Sequence, residues 1–322
     1  MAESLEFEEP IAVLLKEIDA LIAQPHTDAR DREIESLRRR IESVRTELYR
    51  SLTPWQRVLV ARHPNRPDLE DFIQRLFTNF VEIHGDRRYA DDHAIMTGLA
   101  DYKGAPVLLV GHVKGRDTKD KIYRNFGYAR PEGYRKALRA MRLAEKFRRP
   151  IVVFVDTPAA YPGIESEERG VAEAIAVNLR EMMMLDTPIV IIVSGEGGSG
   201  GALGIAIGDR VLMQEFAIYS VIPPEGCAAI LWRDATKKMD AAAALKLTAP
   251  DLLKAGIIDE IIAEPAGGAH ANPAAAATQV DQVLARVLGD VSALESATRL
   301  TLRYEKFRNM GRLGTDFVDQ GS

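Results

Sequence analysis

Apolar residues in the first third of the chain recur with the period of an α-helix. They step by three and four positions over residues 11–22 and again over 34–48, and a polar break at 25–28 separates the two runs. The second run lies in a highly charged segment and has a heptad-like spacing. A third amphipathic run predicts a helix over residues 68–83. The pattern therefore predicts an N-terminal helical region over residues 1–84 that begins with a helical hairpin.

After residue 85 the pattern changes to short, continuous apolar runs that alternate with helical periods. Such runs, bounded by glycine and proline, are typical of buried strands. Strands are predicted at residues 94–100, 106–113, 150–155 and 188–193, and helices at 131–147, 165–185 and 202–207. The alternation predicts an α/β core over residues 85–266, followed by a C-terminal helical extension over residues 267–322.

Two of the predicted strands end in segments of unusual composition. The strand at 150–155 leads into a proline-rich segment that starts at Asp156, and the strand at 188–193 leads into a glycine-rich segment around Glu196. Ligands of α/β folds bind beyond the carboxyl ends of the strands. We therefore expect one site that uses both segments.

The glycine-rich segment, residues 194–202, holds five glycines within seven residues. A strand that breaks into glycines and restarts as a helix exposes several backbone N–H groups at the positive end of the helix dipole. Those groups suit an anion, or an oxyanion that forms during a reaction. The segment contains no lysine, cysteine or histidine, so its backbone is the candidate for the chemistry.

Three other interpretations of the glycine-rich segment stay open at this point. Residues 195–200 satisfy G-x-G-x-x-G, the dinucleotide fingerprint, with Glu215 near the position of a ribose-binding acid. Residues 197–201 satisfy G-x-S-x-G, the nucleophile elbow of serine hydrolases, with Ser199 as nucleophile and His270 as its base. The glycines could also serve only close packing in a tight turn. The P-loop pattern is excluded, because no Lys-Ser or Lys-Thr pair follows.

Composition narrows the class of protein. The chain has 322 residues, 46% of them hydrophobic, which is enough for a sizeable core. Its net charge of −5 gives no reason to expect nucleic acid as a partner. The single cysteine, Cys227, excludes a disulfide framework and a cysteine-based zinc site within the chain. No apolar run reaches membrane-spanning length and no signal pattern is found, so a soluble, cytoplasmic protein is expected.

One segment departs from the acidic average. Residues 114–142 hold ten basic residues against three acidic ones, a net charge of +7. The segment is either a solvated helix face or a surface for a phosphorylated ligand or an acidic partner. Its first part, from Gly111 to Asp117, follows a strand and is the better candidate for a site. The helical hairpin suggests a different class of function, that of a non-enzymatic interaction subunit.

Longer stretches of the chain match a known family. The chain resembles the α subunit of the bacterial carboxyltransferase of acetyl-coenzyme A carboxylase over essentially its whole length. The matching stretches are residues 62–64, 85–87, 89–92, 115–116, 124–127, 131–138, 156–158, 195–202 and 224–227. One departure is Ala159, where the family usually has glycine.

The resemblance implies a crotonase-like α/β fold, a spiral of strand-strand-helix units. It also implies an α2β2 heterotetramer whose β subunit carries a four-cysteine zinc ribbon, with no metal in this chain. In the family, the carboxyl group of carboxybiotin, presented on a biotin carboxyl carrier protein, is transferred to acetyl-coenzyme A to give malonyl-coenzyme A, the first committed step of fatty acid synthesis. A separate biotin carboxylase consumes ATP. Propionyl-coenzyme A is an alternative acceptor, because carboxylases of that substrate share the fold.

The resemblance also assigns roles to residues. Gly200 and Gly201 would form the oxyanion hole for the biotin ureido oxygen, with Gly197 and Gly198 shaping the turn, and the β subunit would supply a second hole. No side-chain base is required, because the biotin nitrogen takes the acceptor proton in the family's mechanism. The biotin side of the site would be lined by Asp156, Thr157, Tyr161 and Gly163. Coenzyme A phosphates or the carrier protein would meet Lys114, Arg116, Lys119 and Arg124.

Overall fold

The computed structural model describes residues 5–311, and a mixed β-sheet of eight strands lies at the centre of that part of the chain. The strands are β1 (Phe77–Glu82), β2 (Ile95–Tyr102), β3 (Ala105–His112), β4 (Ile151–Thr157), β5 (Ile189–Gly198), β6 (Arg210–Gln214), β7 (Ile218–Ser220) and β8 (Glu260–Ile262). Their order is β1-β2-β3-β4-β5-β6-β8, and β7 pairs with the end of β5. The first three strands are antiparallel and the others parallel. The carboxyl ends of β3, β4 and β5 therefore meet at one edge.

Fourteen α-helices of the described residues surround the sheet or extend from it. They are α1 (Glu9–Ile22), α2 (Asp28–Arg50), α3 (Pro54–Ala61), α4 (Leu69–Leu76), α5 (Thr118–Tyr123), α6 (Pro131–Lys146), α7 (Ile164–Glu168), α8 (Val171–Met184), α9 (Ser199–Leu203), α10 (Pro224–Trp232), α11 (Lys238–Leu245), α12 (Ala249–Lys254), α13 (Pro273–Ala293) and α14 (Ser296–Asn309). None of these helices is both long and apolar enough to cross a membrane.

The central strands bury both of their faces. All seven residues of β4 are buried, as expected for a strand with helices on both sides. Val110 and Val153 face one core, which they share with α6 and α8, whereas Leu109 and Val152 face a second core, which they share with α4 and α13. Alternate residues of a strand point to opposite faces, so one continuous apolar run supplies both cores.

The predicted N-terminal hairpin is confirmed. Helices α1 and α2 pack through the apolar stripe read from the sequence, with Ile11, Leu14 and Ile18 against Ile34 and Ile41. The hydroxyl of Thr27 caps α2 by accepting a hydrogen bond from the Arg30 N–H.

The single helix predicted over residues 68–83 is wrong in its second half. Asp68 caps α4, but the helix ends at Leu76, and Phe77–Glu82 forms the edge strand β1 against β2. Asn79, at φ +54°, lies where the register of this pair shifts. The apolar pattern of a segment does not show whether a neighbouring strand is available for backbone hydrogen bonding. Here the pairing with β2 makes residues 77–82 a strand. The sheet therefore begins before residue 85.

The helix predicted over residues 165–185 is two helices. Gly170 adopts φ +76°, a left-handed conformation that a helix interior cannot contain, and it separates α7 from α8. The first helix of the predicted C-terminal extension, α13, begins at Pro273, where the Asn272 side chain caps it.

One buried arginine ties the C-terminal helix α14 to the sheet. Arg303 is 1% exposed, and its guanidinium forms two hydrogen bonds of 2.8 Å with the Asp209 carboxylate. It also donates to the carbonyls of Met182, Leu185 and Thr187. The charge and the donors of Arg303 are therefore satisfied inside the protein. The predicted extension is not helical over residues 267–272 and consists mainly of α13 and α14 after that, and its last residues, 312–322, lie outside the described part.

Candidate active site

Strand β5 continues through the first half of the glycine-rich segment. Glu196 and Gly197 pair with β7, and Gly197 also pairs with Thr157 of β4. The turn into helix α9 comes only at Ser199, at φ +48°. The expectation that Gly197 and Gly198 shape a turn is therefore wrong, because both lie in a strand. The helix expected at 202–207 is instead Ser199–Leu203.

Three of the glycines are required by packing. A Cβ on Gly197 would lie 2.6 Å from the Tyr219 ring, closer than real Cβ contacts. On Gly198 it would overlap the Pro158 carbonyl, and on Gly201 the backbone of Ala159. The segment after β4 therefore lies directly against β5 and α9 because these positions have no side chain. The packing interpretation holds for these three residues.

Gly200 differs from its neighbours. The nearest atom to a Cβ built on Gly200 would be Ile175 Cδ1, at an ordinary 3.6 Å. Packing alone therefore does not require glycine at this position. Gly200 and Gly201 lie in the first turn of α9, where backbone N–H groups have no acceptor within the helix. These N–H groups form the positive end of a helix that begins at the carboxyl edge of the sheet.

A largely apolar cavity of 410 Å³ opens beside the start of α9. Ser199 and Gly200 line it, together with Leu203, Tyr219, Leu252 and Phe307. Burial raises the pKa of the Tyr219 hydroxyl to about 12, so Tyr219 is a neutral wall residue. The cavity joins apolar walls to backbone donors, an arrangement that strengthens any charge stabilisation by those donors.

The carboxyl ends of β3, β4 and β5 meet in a cluster of charged residues, which we call the carboxyl-end cluster: Arg62, Lys114, Asp156 and Glu196. The Lys114 ammonium lies 2.6 Å from Asp156 Oδ1 and 2.8 Å from Glu196 Oε2. Arg62 Nε lies 2.6 Å from Glu196 Oε1. The Glu196 backbone N–H donates to Asp156 Oδ1 at 2.8 Å. Both cations are thus neutralised by carboxylates that are about 90% buried, at 11% and 9% side-chain exposure.

The cluster holds Glu196 and Lys114 in their charged forms. Burial alone would raise the pKa of Glu196, but the charges and hydrogen bonds of Lys114 and Arg62 outweigh it and bring the pKa to about 2. Burial would likewise lower the pKa of Lys114, and the carboxylates of Asp156 and Glu196 raise it instead. Each charge in the cluster therefore depends on its partners.

Most of the basic segment is paired rather than free. Arg116 bridges Asp68 and Asp71, and Arg124 lies between Glu70 and Asp120. Further along, Lys136 is fully buried against Asp91, and Arg135 is paired with Asp86. The solvated-face interpretation is therefore wrong for these residues, because they pair with carboxylates of the fold, whereas a surface for a phosphorylated ligand or an acidic partner stays a prediction. Among the four cations expected to meet phosphates, Lys119 is exposed and has no carboxylate partner in residues 5–311.

The predicted biotin-side residues divide into two groups. Thr157 is buried and its hydroxyl donates to the carbonyls of Gly127 and Ala159, at 2.7 and 2.9 Å, which holds the segment after β4 in place. Tyr161 packs against the Arg130 guanidinium, 5.0 Å from the ring centre, and Gly163 packs on the Tyr161 ring. Neither Tyr161 nor Gly163 lines the apolar cavity.

Two residues near the site had no predicted role. Arg62 lies in a matching stretch of sequence, but its contacts with Glu196 and with Glu225, at 2.6 Å each, depend on tertiary structure. His112, at the end of β3, is 0% exposed, and neither ring nitrogen makes a well-aligned hydrogen bond in the described chain. Burial lowers the pKa of His112 to about 3 and the Lys114 charge adds to the effect, although the nearby Gly201 backbone offsets part of it.

The two enzyme alternatives lack their supporting groups. Ser199 has the positive φ typical of a nucleophile elbow, but His270 stacks on His63 at 3.9 Å and its nearest carboxylate belongs to Glu8. The dinucleotide motif requires a longer helix than α9, which has five residues. The expected ribose-binding acid, Glu215, accepts a hydrogen bond from the Glu264 N–H instead. Within residues 5–311 there is also no group of His, Cys, Asp or Glu arranged to hold a metal ion.

Sequence comparison places this site in a known family. The family described as "Acetyl co-enzyme A carboxylase carboxyltransferase-like" matches residues 4–311. The acetyl-coenzyme A carboxylase carboxyl transferase subunit alpha of Geobacter metallireducens is 54% identical over 310 residues, which cover 96% of this chain and 97% of that protein.

Structural comparison agrees at the level of the fold. A transcarboxylase 12S structure with bound methylmalonyl-coenzyme A matches with a TM-score of 0.55 at 20% identity, over 68% of this chain and 41% of that one. A Pseudomonas malonate decarboxylase hetero-tetramer in complex with coenzyme A matches with a TM-score of 0.55 at 18% identity, over 67% and 86%. The predicted crotonase-like α/β fold is thereby confirmed.

Proposed function

The chain belongs to the acetyl co-enzyme A carboxylase carboxyltransferase-like family, and from this premise we propose how its own residues serve carboxyl transfer. It is the α subunit of a biotin-dependent carboxyltransferase. The proposed reaction moves a carboxyl group from carboxybiotin, held on a carrier protein, to acetyl-coenzyme A and gives malonyl-coenzyme A. The observation that carries the proposal is the start of α9, whose first-turn N–H groups have no acceptor within the helix and whose residues Ser199 and Gly200 line an apolar cavity.

The cavity beside Gly200 fits the biotin ring system. Its walls are mostly apolar, and Ser199 and Gly200 from the start of α9 are among its lining residues, as suits a ring with a polar ureido edge. When bound, carboxybiotin supplies the carboxyl group and a ureido nitrogen that takes up the acceptor proton. The N–H groups of Gly200 and Gly201 would donate to the ureido oxygen as negative charge develops there. The positive end of the α9 dipole adds to that stabilisation.

The remaining site residues would hold the segment after β4 in position and enclose the bound biotin. The Thr157 hydroxyl, within hydrogen-bonding distance of the Gly127 and Ala159 carbonyls, fixes the segment after β4, and Asp156 belongs to the carboxyl-end cluster. Tyr161 and Gly163 would bound the biotin side beyond this segment. Apolar walls exclude water, which strengthens each N–H contact. No side chain is required to titrate during the transfer, in keeping with a cavity whose lining contains no Asp, Glu, His, Lys or Arg.

Fewer cations are free to contact coenzyme A phosphates than the sequence suggested. Lys114, Arg116 and Arg124 already pair with carboxylates, so they could meet phosphates only by exchanging partners. Lys119 has a free ammonium and is the strongest candidate of the four. Acetyl-coenzyme A is proposed as the acceptor on the names of the relatives, and propionyl-coenzyme A is the competing acceptor to assay.

The proposed setting is a multi-subunit complex. Relatives are named as α subunits, which implies at least one other subunit. We propose a β subunit with a zinc ribbon in an α2β2 heterotetramer, the biotin carboxyl carrier protein and biotin carboxylase as further partners, and the cytoplasm as location. Three regions, residues 1–84, 85–266 and 267–322, would form the helical, transferase and extension parts, with β1 contributed to the sheet by the first.

The first prediction tests the role of Gly200. Replacing Gly200 by valine should lower kcat for biotin-dependent decarboxylation of malonyl-coenzyme A by about 10²–10³, because the side chain would fill the cavity end where the donors point. The assay uses the purified αβ complex with free biotin. The thermal unfolding midpoint should stay near that of the wild type, since a Cβ at this position has room.

Two outcomes would contradict the proposal. An active complex that tolerates Gly200→Val with unchanged kcat would show that these donors are not used. Labelling of Ser199 by a fluorophosphonate, together with ester hydrolysis, would favour the serine hydrolase alternative instead.

A further inference from the structure

Regular pairing of strand β5 with its two neighbouring strands ends at Val193, just before the glycine-rich segment. Strand β6 pairs with β5 only as far as Val193, and β4 pairs regularly only as far as Val155. The register between β4 and β5 then shifts, and a single further pair joins Thr157 to Gly197. The other support is β7, a strand of three residues. The end of β5 therefore needs another means of holding its position.

Side chains take over where the backbone ladder stops. At the register shift the Glu196 N–H finds its acceptor in the Asp156 carboxylate rather than in a backbone carbonyl. Asp156 can lie this close because residue 195 is glycine, and a Cβ there would overlap Asp156 Oδ1. One carboxylate thus replaces a missing ladder hydrogen bond and closes the gap between the two strands.

The Glu196 side chain is held from two directions. Lys114, from the segment after β3, contacts one carboxylate oxygen, and Arg62, just beyond α3, contacts the other. Arg62 in turn reaches Glu225 in the first turn of α10. Charge-assisted hydrogen bonds are short and strongly directional, so the two cations define where the Glu196 side chain lies. Glu196 is three residues before Ser199, where α9 begins.

We propose that the carboxyl-end cluster is a positioning device for the oxyanion hole, with Glu196 as its central positioning residue and Lys114 as its counter-ion rather than a phosphate ligand. This inference rests on the proposed function. Glu196 touches no reacting atom, and it acts through the backbone of Gly197 to Gly201. A displacement of catalytic donors by about 1 Å can cost roughly a hundredfold in rate. Changes in the cluster should therefore lower kcat and leave substrate binding nearly unchanged.

The test compares four variants of the α subunit in the αβ complex: Glu196→Gln, Lys114→Met, their double variant, and Lys16→Met as control. Lys16 is an exposed lysine on helix α1 that has no carboxylate partner in the described residues and no proposed role in the site. Each complex is assayed for kcat and for KM towards malonyl-coenzyme A in the biotin-dependent decarboxylation. The thermal unfolding midpoint of each complex is measured in the same buffer.

Glu196→Gln and Lys114→Met should each lower kcat roughly tenfold to a hundredfold, with KM changed by no more than about twofold. The double variant restores the charge balance and should recover much of the unfolding midpoint, but kcat should stay low because the anchor of β5 is still missing. Lys16→Met should retain kcat and KM. If Glu196→Gln fails to assemble, Glu196→Asp with the same readouts replaces it.

Three results would overturn the inference. A raised KM with retained kcat in Lys114→Met would make Lys114 a phosphate ligand. Recovery of kcat together with the unfolding midpoint in the double variant would make the cluster merely structural. Unchanged kcat in Glu196→Gln would exclude positioning by that residue. An inactive wild-type complex would contradict the proposed function itself and is thus distinguishable from all three.

Discussion

At the scale of single residues, the five glycines of one segment have different reasons to be glycine. Gly195 admits the Asp156 carboxylate, and Gly198 and Gly201 admit the backbone of the neighbouring segment. Gly200 alone among these four has room for a side chain. The sequence pattern predicted an anion site in this segment but could not distinguish packing glycines from a glycine that serves the ligand, because the distinction depends on which atoms lie opposite.

The second prediction concerns Gly198. Gly198→Ala should destabilise the protein by about 1–3 kcal/mol, since the added methyl group would overlap the Pro158 carbonyl in a packed region. Urea unfolding of the subunit measures the effect. Gly200→Ala is the matched control and should change the free energy of unfolding by less than about 1 kcal/mol. Equal losses in the two variants would contradict the assignment of roles.

The charged residues of the site show the same limit of sequence analysis. Lys114 and Glu196 are 82 positions apart, and Arg62 and Glu196 are 134 apart. The basic segment therefore looked like a free cationic surface in the sequence, whereas long-range pairing neutralises most of it. Excess charge along a segment cannot reveal where its counter-charges fold to.

At the scale of elements, apolar periodicity predicted the type and position of those helices and strands whose own sequence pattern determines their structure. The hairpin α1–α2 and the buried strands β4 and β5 are examples, since their apolar patterns are long and regular. Strand β1 and the break at Gly170 were missed. Residues 77–82 have a helical apolar pattern but pair with the neighbouring strand β2 instead. Gly170 adopts a left-handed conformation that ends one helix before the next begins.

The third prediction concerns the anchoring of α14. Arg303→Leu should destabilise the protein by about 3–5 kcal/mol, because it leaves the buried Asp209 carboxylate without its counter-ion. Arg308→Leu, an exposed change on the same helix, is the control and should cost less than about 0.5 kcal/mol. Denaturant unfolding of both variants measures the difference. A small effect of Arg303→Leu would show that α14 is held by other contacts.

At the scale of the whole molecule, two buried histidines make folding depend on pH. The pKa of both His112 and His270 lies at about 3, in each case chiefly because burial disfavours the charged ring. The unfolded chain binds protons at these histidines below about pH 6.5, whereas the folded protein does not. Their contribution to stability is therefore fully present above pH 6.5 and is lost as the pH falls.

The fourth prediction isolates one of these histidines. His270→Phe keeps the stacking with His63 but removes the titration. Between pH 6 and 5 the wild type should lose about 1.4 kcal/mol more unfolding free energy per pH unit than the variant, since all other groups are shared. Urea unfolding at several pH values gives both slopes. Parallel slopes would show that His270 already binds a proton in the folded protein.

The sequence by itself determined the α/β class, the helical hairpin and the location of the glycine-rich segment, because these follow from local periodicity and composition. It also carried the family resemblance through motifs along its whole length. Only the tertiary structure decided which glycines face a cavity, where β5 ends, and which carboxylates neutralise Lys114 and Arg62. The physical reason is that packing and ion pairing join residues far apart in the chain, whereas hydrophobic periodicity reports only on neighbours along it.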